Sequence, residues 1–192
     1  MLLARSRSVD ETKALAAALA ELARPGDLIL LAGELGAGKT AFAQGFGKAL
    51  GVVEPITSPT FTLASQYEGR LELNHLDVYR LEQLTEVLDI GLPEMLDEGG
   101  VTLVEWGDAI IPALPADYLL VRLTYGDADD DRILDVDSIG PRWSARSRAL
   151  SLALREWLVA DDVHDHDDGG PVDPSDPTDP TAGGAPTGGG PC

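Results

Sequence analysis

The sequence predicts an α/β layered domain with a mainly parallel central sheet and additional antiparallel strands. Three observations lead there. Two short runs, Asp27–Ala32 (DLILLA) and Val101–Glu105 (VTLVE), are almost continuously apolar, as strands buried on both faces are. Strand-like and helix-like patterns alternate along residues 10–159. A glycine-rich octapeptide, residues 33–40, joins the first run to a helical stretch.

Residues 10–23 (DETKALAAALAELA) read as the first helix, with Ser8 or Asp10 to cap it and Pro25-Gly26 to stop it. The buried strand Asp27–Ala32 follows, and a second helix covers Lys39–Leu50 as far as Gly51. Phe61–Tyr67 and Leu71–Tyr79 read as two strands joined by a tight Glu68-Gly69 turn. Residues 81–98 mix helical spacing with the breakers Gly91 and Pro93. Beyond Val101–Glu105, the alternating runs Tyr118–Tyr125 and Arg132–Ile139 flank an acidic DADDD loop. Pro141–Val159 reads as a closing amphipathic helix, opened by a residue suited to a first helical turn.

The 192 residues suit one globular domain, which the composition places at residues 1–160. The formal charge of −19 is uneven: residues 161–192 hold eight Asp, no Lys or Arg, six Pro and seven Gly. Such a segment cannot repay its ordering entropy by apolar burial, so it reads as a disordered acidic tail. His164 and His166 sit in a solvated acidic run there. Residues 1–160 keep 25 acidic and 14 basic side chains, a net −11, and are about half apolar, enough for a core. An acidic domain is poorly suited to grip bare nucleic acid. No run approaches a membrane span or a signal peptide's apolar stretch. One cysteine, Cys192, allows no internal disulfide and fits a reducing cytoplasm.

Gly33-Glu34-Leu35-Gly36-Ala37-Gly38-Lys39-Thr40 fits the phosphate-loop pattern G-x-x-x-x-G-K-[ST] at every defined position. Its glycines permit a tight turn whose N–H groups point inward and form a nest for phosphate oxygens. The helix starting at Lys39 adds unpaired N–H groups and the positive end of its dipole. Lys39, one of only three lysines, would reach the β and γ phosphates, and the Thr40 hydroxyl is a hard donor suited to Mg²⁺. The strand before the loop and the helix after it supply the expected context, so the fold reads as P-loop NTPase-like.

A phosphate loop needs an acidic partner at the end of another buried strand. Glu105 stands there, and Asp77 is a second candidate, to complete the Mg²⁺ shell or orient an attacking water. Asp10, Asp27, Asp89 and Asp97 fall in cap or turn contexts. Ser58-Pro59-Thr60 could carry hydroxyls to a γ phosphate, as switch segments do, or simply punctuate the entry to a strand. Trp106 could stack on a base or a partner, or be a half-buried aromatic. His75 reads as a packed or hydrogen-bonded histidine rather than a catalyst.

The order GELGAGKT, SPTFTL, HLDVYRL and VEWGD resembles the TsaE family, small bacterial ATPases required for the threonylcarbamoyladenosine modification of tRNA. The resemblance runs from about residue 8 to 158 and leaves the tail outside. It implies ATP and Mg²⁺ as ligands, with Gly33 through Gly38, Lys39, Thr40 and Ala41 around the nucleotide. Thr40, Glu105 and Asp77 would serve Mg²⁺, and Asp77 and Glu105 would support hydrolysis. Trp106 would lie near the nucleotide, Thr12 near the adenine, and Ser58, Pro59 and Thr60 would form the switch-like segment. The resemblance further implies TsaD and TsaB as partners, with tRNA met only through that complex. A −11 domain could dock on a basic groove by complementary charge.

With no arginine finger in the motif set, slow hydrolysis alone and faster hydrolysis on docking are expected. A small-molecule kinase is the competing reading, with Arg80, Arg142, Arg146 and Arg148 to hold an acceptor. A guanine-nucleotide switch is a third reading, and ATP is favoured over GTP because Asn74, the only Asn, precedes His75, so no Asn-Lys-x-Asp segment exists.

Overall fold

The computed structural model describes residues 1–81, 91–97 and 99–159. The acidic tail with His164 and His166, Asp89, and residues 82–90 of the mixed stretch lie outside the described residues. Seven strands form one sheet: β1 (Leu2–Ser6), β2 (Leu28–Ala32), β3 (Ala64–Tyr67), β4 (Leu73–Asp77), β5 (Val101–Glu105), β6 (Tyr118–Tyr125) and β7 (Arg132–Ile139). Their order is β1-β7-β6-β2-β5-β4-β3. The central four, β6, β2, β5 and β4, run parallel. On one side β7 pairs antiparallel with β6, and β1 pairs antiparallel with β7 and so runs with the central four; β3 pairs antiparallel with β4 on the other side. Among the described residues, no helix is long and apolar enough to cross a membrane.

Strand alternation divides the apolar side chains between two cores. Ile29, Leu31, Leu73, Val101, Leu103, Leu119 and Val121 face the helices α1 (Val9–Ala20) and α2 (Lys39–Ala49). Leu28, Leu30, Leu76, Val104 and Leu120 face the other side, covered in part by α3 (Leu92–Asp97) and a 3₁₀ helix, Gly107–Ala113. Both central runs, β2 and β5, are buried at every position, which is why neither alternates in sequence. The same parity carries Leu73–His75–Asp77 and Val101–Leu103–Glu105 along the α2 face, so both carboxylates emerge beside the start of α2.

Several boundaries differ from those the sequence predicts, each for a local reason. The first helix begins at Val9 because Ser8 is the cap, its Oγ accepting from the Glu11 N–H at 3.1 Å, and it ends at Ala20. The expected tight turn at Glu68-Gly69 is a longer connection, residues 68–72, because the Arg70 N–H is engaged by the Leu50 carbonyl at 2.7 Å. The expected closing helix is broken into α4 (Pro141–Ser144) and α5 (Ser147–Leu154). Between them Arg146 leaves helical geometry, and its guanidinium makes two 2.7 Å bonds to the buried Asp27 carboxylate. Past α5 the chain lies along β1, with the Arg5 N–H donating to Trp157 O and the Val159 N–H to Leu3 O. The strand β1 itself was not anticipated: Leu2–Ser6 is too short to show alternation without its partner β7.

Candidate functional site

The octapeptide leaves β2 and enters α2 at the C-terminal ends of the parallel strands, where open α/β sheets bind ligands. Gly33 has φ 135°, and a Cβ there would lie 2.2 Å from Leu123 O, so only glycine lets the chain turn this close to β6. Gly38, the N-cap of α2, is left-handed and offers no side-chain cap. The first helical bond runs from Phe42 N–H to Gly38 O, so the N–H groups of Lys39, Thr40 and Ala41 have no acceptor within the helix.

Two side chains from the β6–β7 hairpin hold the loop from outside. Tyr125 donates to Leu35 O at 2.7 Å, and Arg132 Nε to Ala37 O at 3.0 Å. In a trans peptide the carbonyl and the following N–H point oppositely. Tying those carbonyls outward therefore turns the Gly36 and Gly38 N–H groups the other way.

Lys39 is 5% exposed. Its ammonium bridges Gly33 O at 2.7 Å and Glu34 O at 2.9 Å and lies 3.5 Å from the centre of the Trp106 ring. Burial lowers its pKa below the usual lysine range, opposed by the charges of Glu105, Asp77 and Asp108.

Thr40 Oγ1 donates to Glu105 Oε2 at 3.0 Å, and the other oxygen, Oε1, is 2.9 Å from His75 Nε2. Asp77 Oδ2 accepts from Ser58 Oγ and Thr60 Oγ1, both at 2.6 Å, while Oδ1 accepts from the Tyr79 N–H at 3.0 Å. Tyr79 packs against Trp106 with ring centres 4.8 Å apart.

These groups enclose a cavity of about 370 Å³. Leu35, Gly36, Gly38, Lys39, Thr40 and Ala41 line it from the loop and α2, and Ser58, Thr60, Asp77, Glu105 and Trp106 from the other side. The remaining sequence candidates stand behind the wall. Gly33 and Glu34 contribute carbonyls to Lys39. Ala37 is buried in the core, and Pro59 is buried with its carbonyl accepting from Leu63 N–H. Thr12 is not on the lining either: it is 2% exposed, with Oγ1 2.7 Å from Ser6 Oγ. It stands behind the phosphate loop, its Cγ2 4.0 Å from where a Cβ on Gly38 would lie, and its Oγ1 also donates to Ser8 O at 3.2 Å.

His75 and Tyr79 are the site residues that sequence reasoning underweighted. The available signal was strand parity, since His75 stands two positions before Asp77 on the same face. Two arginines of the kinase reading lie elsewhere, while Arg80, next to Tyr79, lies over the Phe61 ring at 4.4 Å. Arg146 pairs with Asp27 and Arg142 donates to Gly26 O, both at the opposite, N-terminal end of β2.

A family model described as threonylcarbamoyl adenosine biosynthesis protein TsaE matches residues 6–134. The chain is 41% identical to the tRNA threonylcarbamoyladenosine biosynthesis protein TsaE of Bacillus subtilis over 148 residues, 77% of this chain and 92% of that one. It is 44% identical to the TsaE of Treponema pallidum over 118 residues, 62% of this chain and 87% of that one. A crystal structure of Bacillus subtilis YdiB superposes with a TM-score of 0.68 at 37% identity, covering 79% of this chain and 94% of that one.

Proposed function

The chain belongs to the TsaE family of threonylcarbamoyl adenosine biosynthesis proteins, and from that premise we propose that it binds ATP with Mg²⁺ and hydrolyses it to drive a TsaB–TsaD-type partner complex in the cytoplasm. The observation that carries this reading is the Thr40–Glu105 pair at the uncapped start of α2, beside Lys39, with all three residues lining the cavity.

The residues fit a Mg²⁺–triphosphate pair. The inward N–H groups and Lys39 offer donors to phosphate oxygens. The wall also carries two carboxylates, Asp77 and Glu105, against one cationic side chain, Lys39. A bare triphosphate is repelled by that balance, whereas one carrying a divalent cation is not. Thr40 and Glu105 would hold Mg²⁺, as hard oxygen donors of the kind it prefers. When bound, Mg²⁺ neutralises charge on the β and γ phosphoryl oxygens.

The chain's own residues do the rest. Lys39 exchanges its carbonyl partners for phosphate oxygens, and the loop N–H groups stabilise charge as the γ-phosphoryl transfers. Asp77, gripped by Ser58 and Thr60, fixes that segment at the cavity edge and orients the attacking water. Hydrolysis is slow until a partner completes the site. A net −11 over residues 1–160 suits docking on a basic protein surface, with tRNA reached only through the complex.

The test is phosphate release by the purified chain, alone and with TsaB and TsaD proteins. Slow release that rises when both partners are added supports the reading. Release at tens per second alone, unaffected by partners, contradicts it.

A further inference from the structure

We propose that His75 is a positioning residue: its Nε2–H holds one oxygen of Glu105 so that the other is presented to Thr40 and the cavity. The inference rests on the nucleotide reading above and adds a residue to it.

The geometry is specified by the sheet. β4 and β5 are parallel, with His75 opposite Leu103 and Asp77 opposite Glu105, so His75 reaches Glu105 diagonally on the α2 face. His75 is fully buried and Glu105 is 3% exposed. The carboxylate's two oxygens are divided, Oε1 to His75 at 2.9 Å and Oε2 to Thr40 at 3.0 Å. A carboxylate only accepts, so Nε2 carries the proton between them.

The other ring nitrogen argues against a purely structural histidine. Nδ1 is buried and has no hydrogen-bond partner among the described residues. Leaving a buried acceptor unpaired is costly, and a leucine of similar size would avoid that cost. The ring is packed instead beside Tyr67, with centres 6.5 Å apart. An imidazole that leaves one nitrogen unpaired while placing the other on a cavity carboxylate is arranged for the carboxylate. Without it, Glu105 is free to rotate toward the Lys39 ammonium, and its oxygen no longer meets Thr40 at a fixed place.

The test compares wild type, His75→Leu and His75→Gln, the last keeping an N–H donor near the Nε2 position. A fluorescent ATP analogue is titrated with and without Mg²⁺, and thermal melting is recorded for each protein. We expect His75→Leu to melt cooperatively, as a folded protein, and to bind the Mg²⁺-free analogue as wild type does. It should need about 10- to 100-fold more Mg²⁺ for the metal-dependent gain in affinity, the range typical of lost support behind a metal ligand. His75→Gln should recover most of that loss. Coincident Mg²⁺ curves for wild type and His75→Leu overturn the proposal, as does equal failure of Leu and Gln.

Nitrogen-15 imidazole spectra of the wild-type protein give a readout that needs no variant to fold. Nε2 protonated with Nδ1 bare supports the proposal, and the reverse tautomer overturns it. If wild type binds the analogue with no Mg²⁺ response at all, the nucleotide reading itself fails.

Discussion

Thr40 and Glu105 stand 65 residues apart in the chain and meet in a 3.0 Å hydrogen bond. The meeting follows from adjacency: β2 and β5 are parallel neighbours, with Leu31 opposite Glu105. The loop that leaves β2 and the carboxylate that ends β5 therefore emerge side by side. Everything proposed for the site depends on that adjacency, and it yields expectations for single residues.

Glu105→Gln and Asp77→Asn should separate binding from turnover. Both keep the loop and Lys39, so affinity for ATP at saturating Mg²⁺ should change only a few-fold. Single-turnover phosphate release should fall by about 100- to 10,000-fold, the range for losing a group that positions or accepts a proton. Unchanged release in both would remove these carboxylates from the chemistry.

Lys39→Met should abolish function and remove a pH dependence of stability. Desolvation is the largest influence on Lys39, exceeding the attraction of Glu105, Asp77 and Asp108. With its folded pKa below the ordinary value, the unfolded chain holds more protons between the two, so stability rises with pH across that alkaline window. Urea unfolding without nucleotide should show that rise in wild type and not in Lys39→Met. ATP affinity should fall by about 10- to 100-fold or more, as expected for lost charge-assisted hydrogen bonds.

Gly33→Ala and Gly51→Ala should differ sharply. Both glycines have positive φ, but a Cβ at Gly33 meets Leu123 O at 2.2 Å, whereas one at Gly51 meets nothing within 4 Å. Gly51→Ala should cost about 1–2 kcal/mol, the backbone term alone. Gly33→Ala should cost clearly more and weaken ATP binding, because β6 or the loop must move. Paired denaturant curves and ATP titrations measure both.

Arg146→Met should destabilise without touching the site. It leaves the Asp27 carboxylate buried with its strongest partner gone, a change that costs about 3–5 kcal/mol. Since the pair lies at the other end of β2, nucleotide affinity of the folded fraction should be unchanged. A parallel loss of affinity would mean the two ends of the sheet are coupled.

The loop was legible because its chemistry is local: glycines, lysine and threonine at fixed spacing, between an apolar strand and a helix. Asp77 and Glu105 were legible as polar ends of apolar strands, and Ser58 and Thr60 by their place after the loop. The rest depended on partners distant in sequence. Nothing near Thr12 announces its 2.7 Å contact with Ser6, and nothing near Arg146 announces its pairing with Asp27 between the last two helices. β1 is defined by its pairing with β7 and with the segment after α5. His75 could have been singled out by counting two residues back from Asp77, but its contact with Glu105 needed the β4–β5 register.

The central claim is that residues 33–40 wrap a triphosphate at the mouth of α2. Calorimetric titration of the intact protein with ATP, with and without Mg²⁺, tests it most directly. The account expects one-to-one binding that tightens with Mg²⁺ and is competed by inorganic triphosphate. No heat of binding under either condition, or binding indifferent to competing triphosphate, would contradict it.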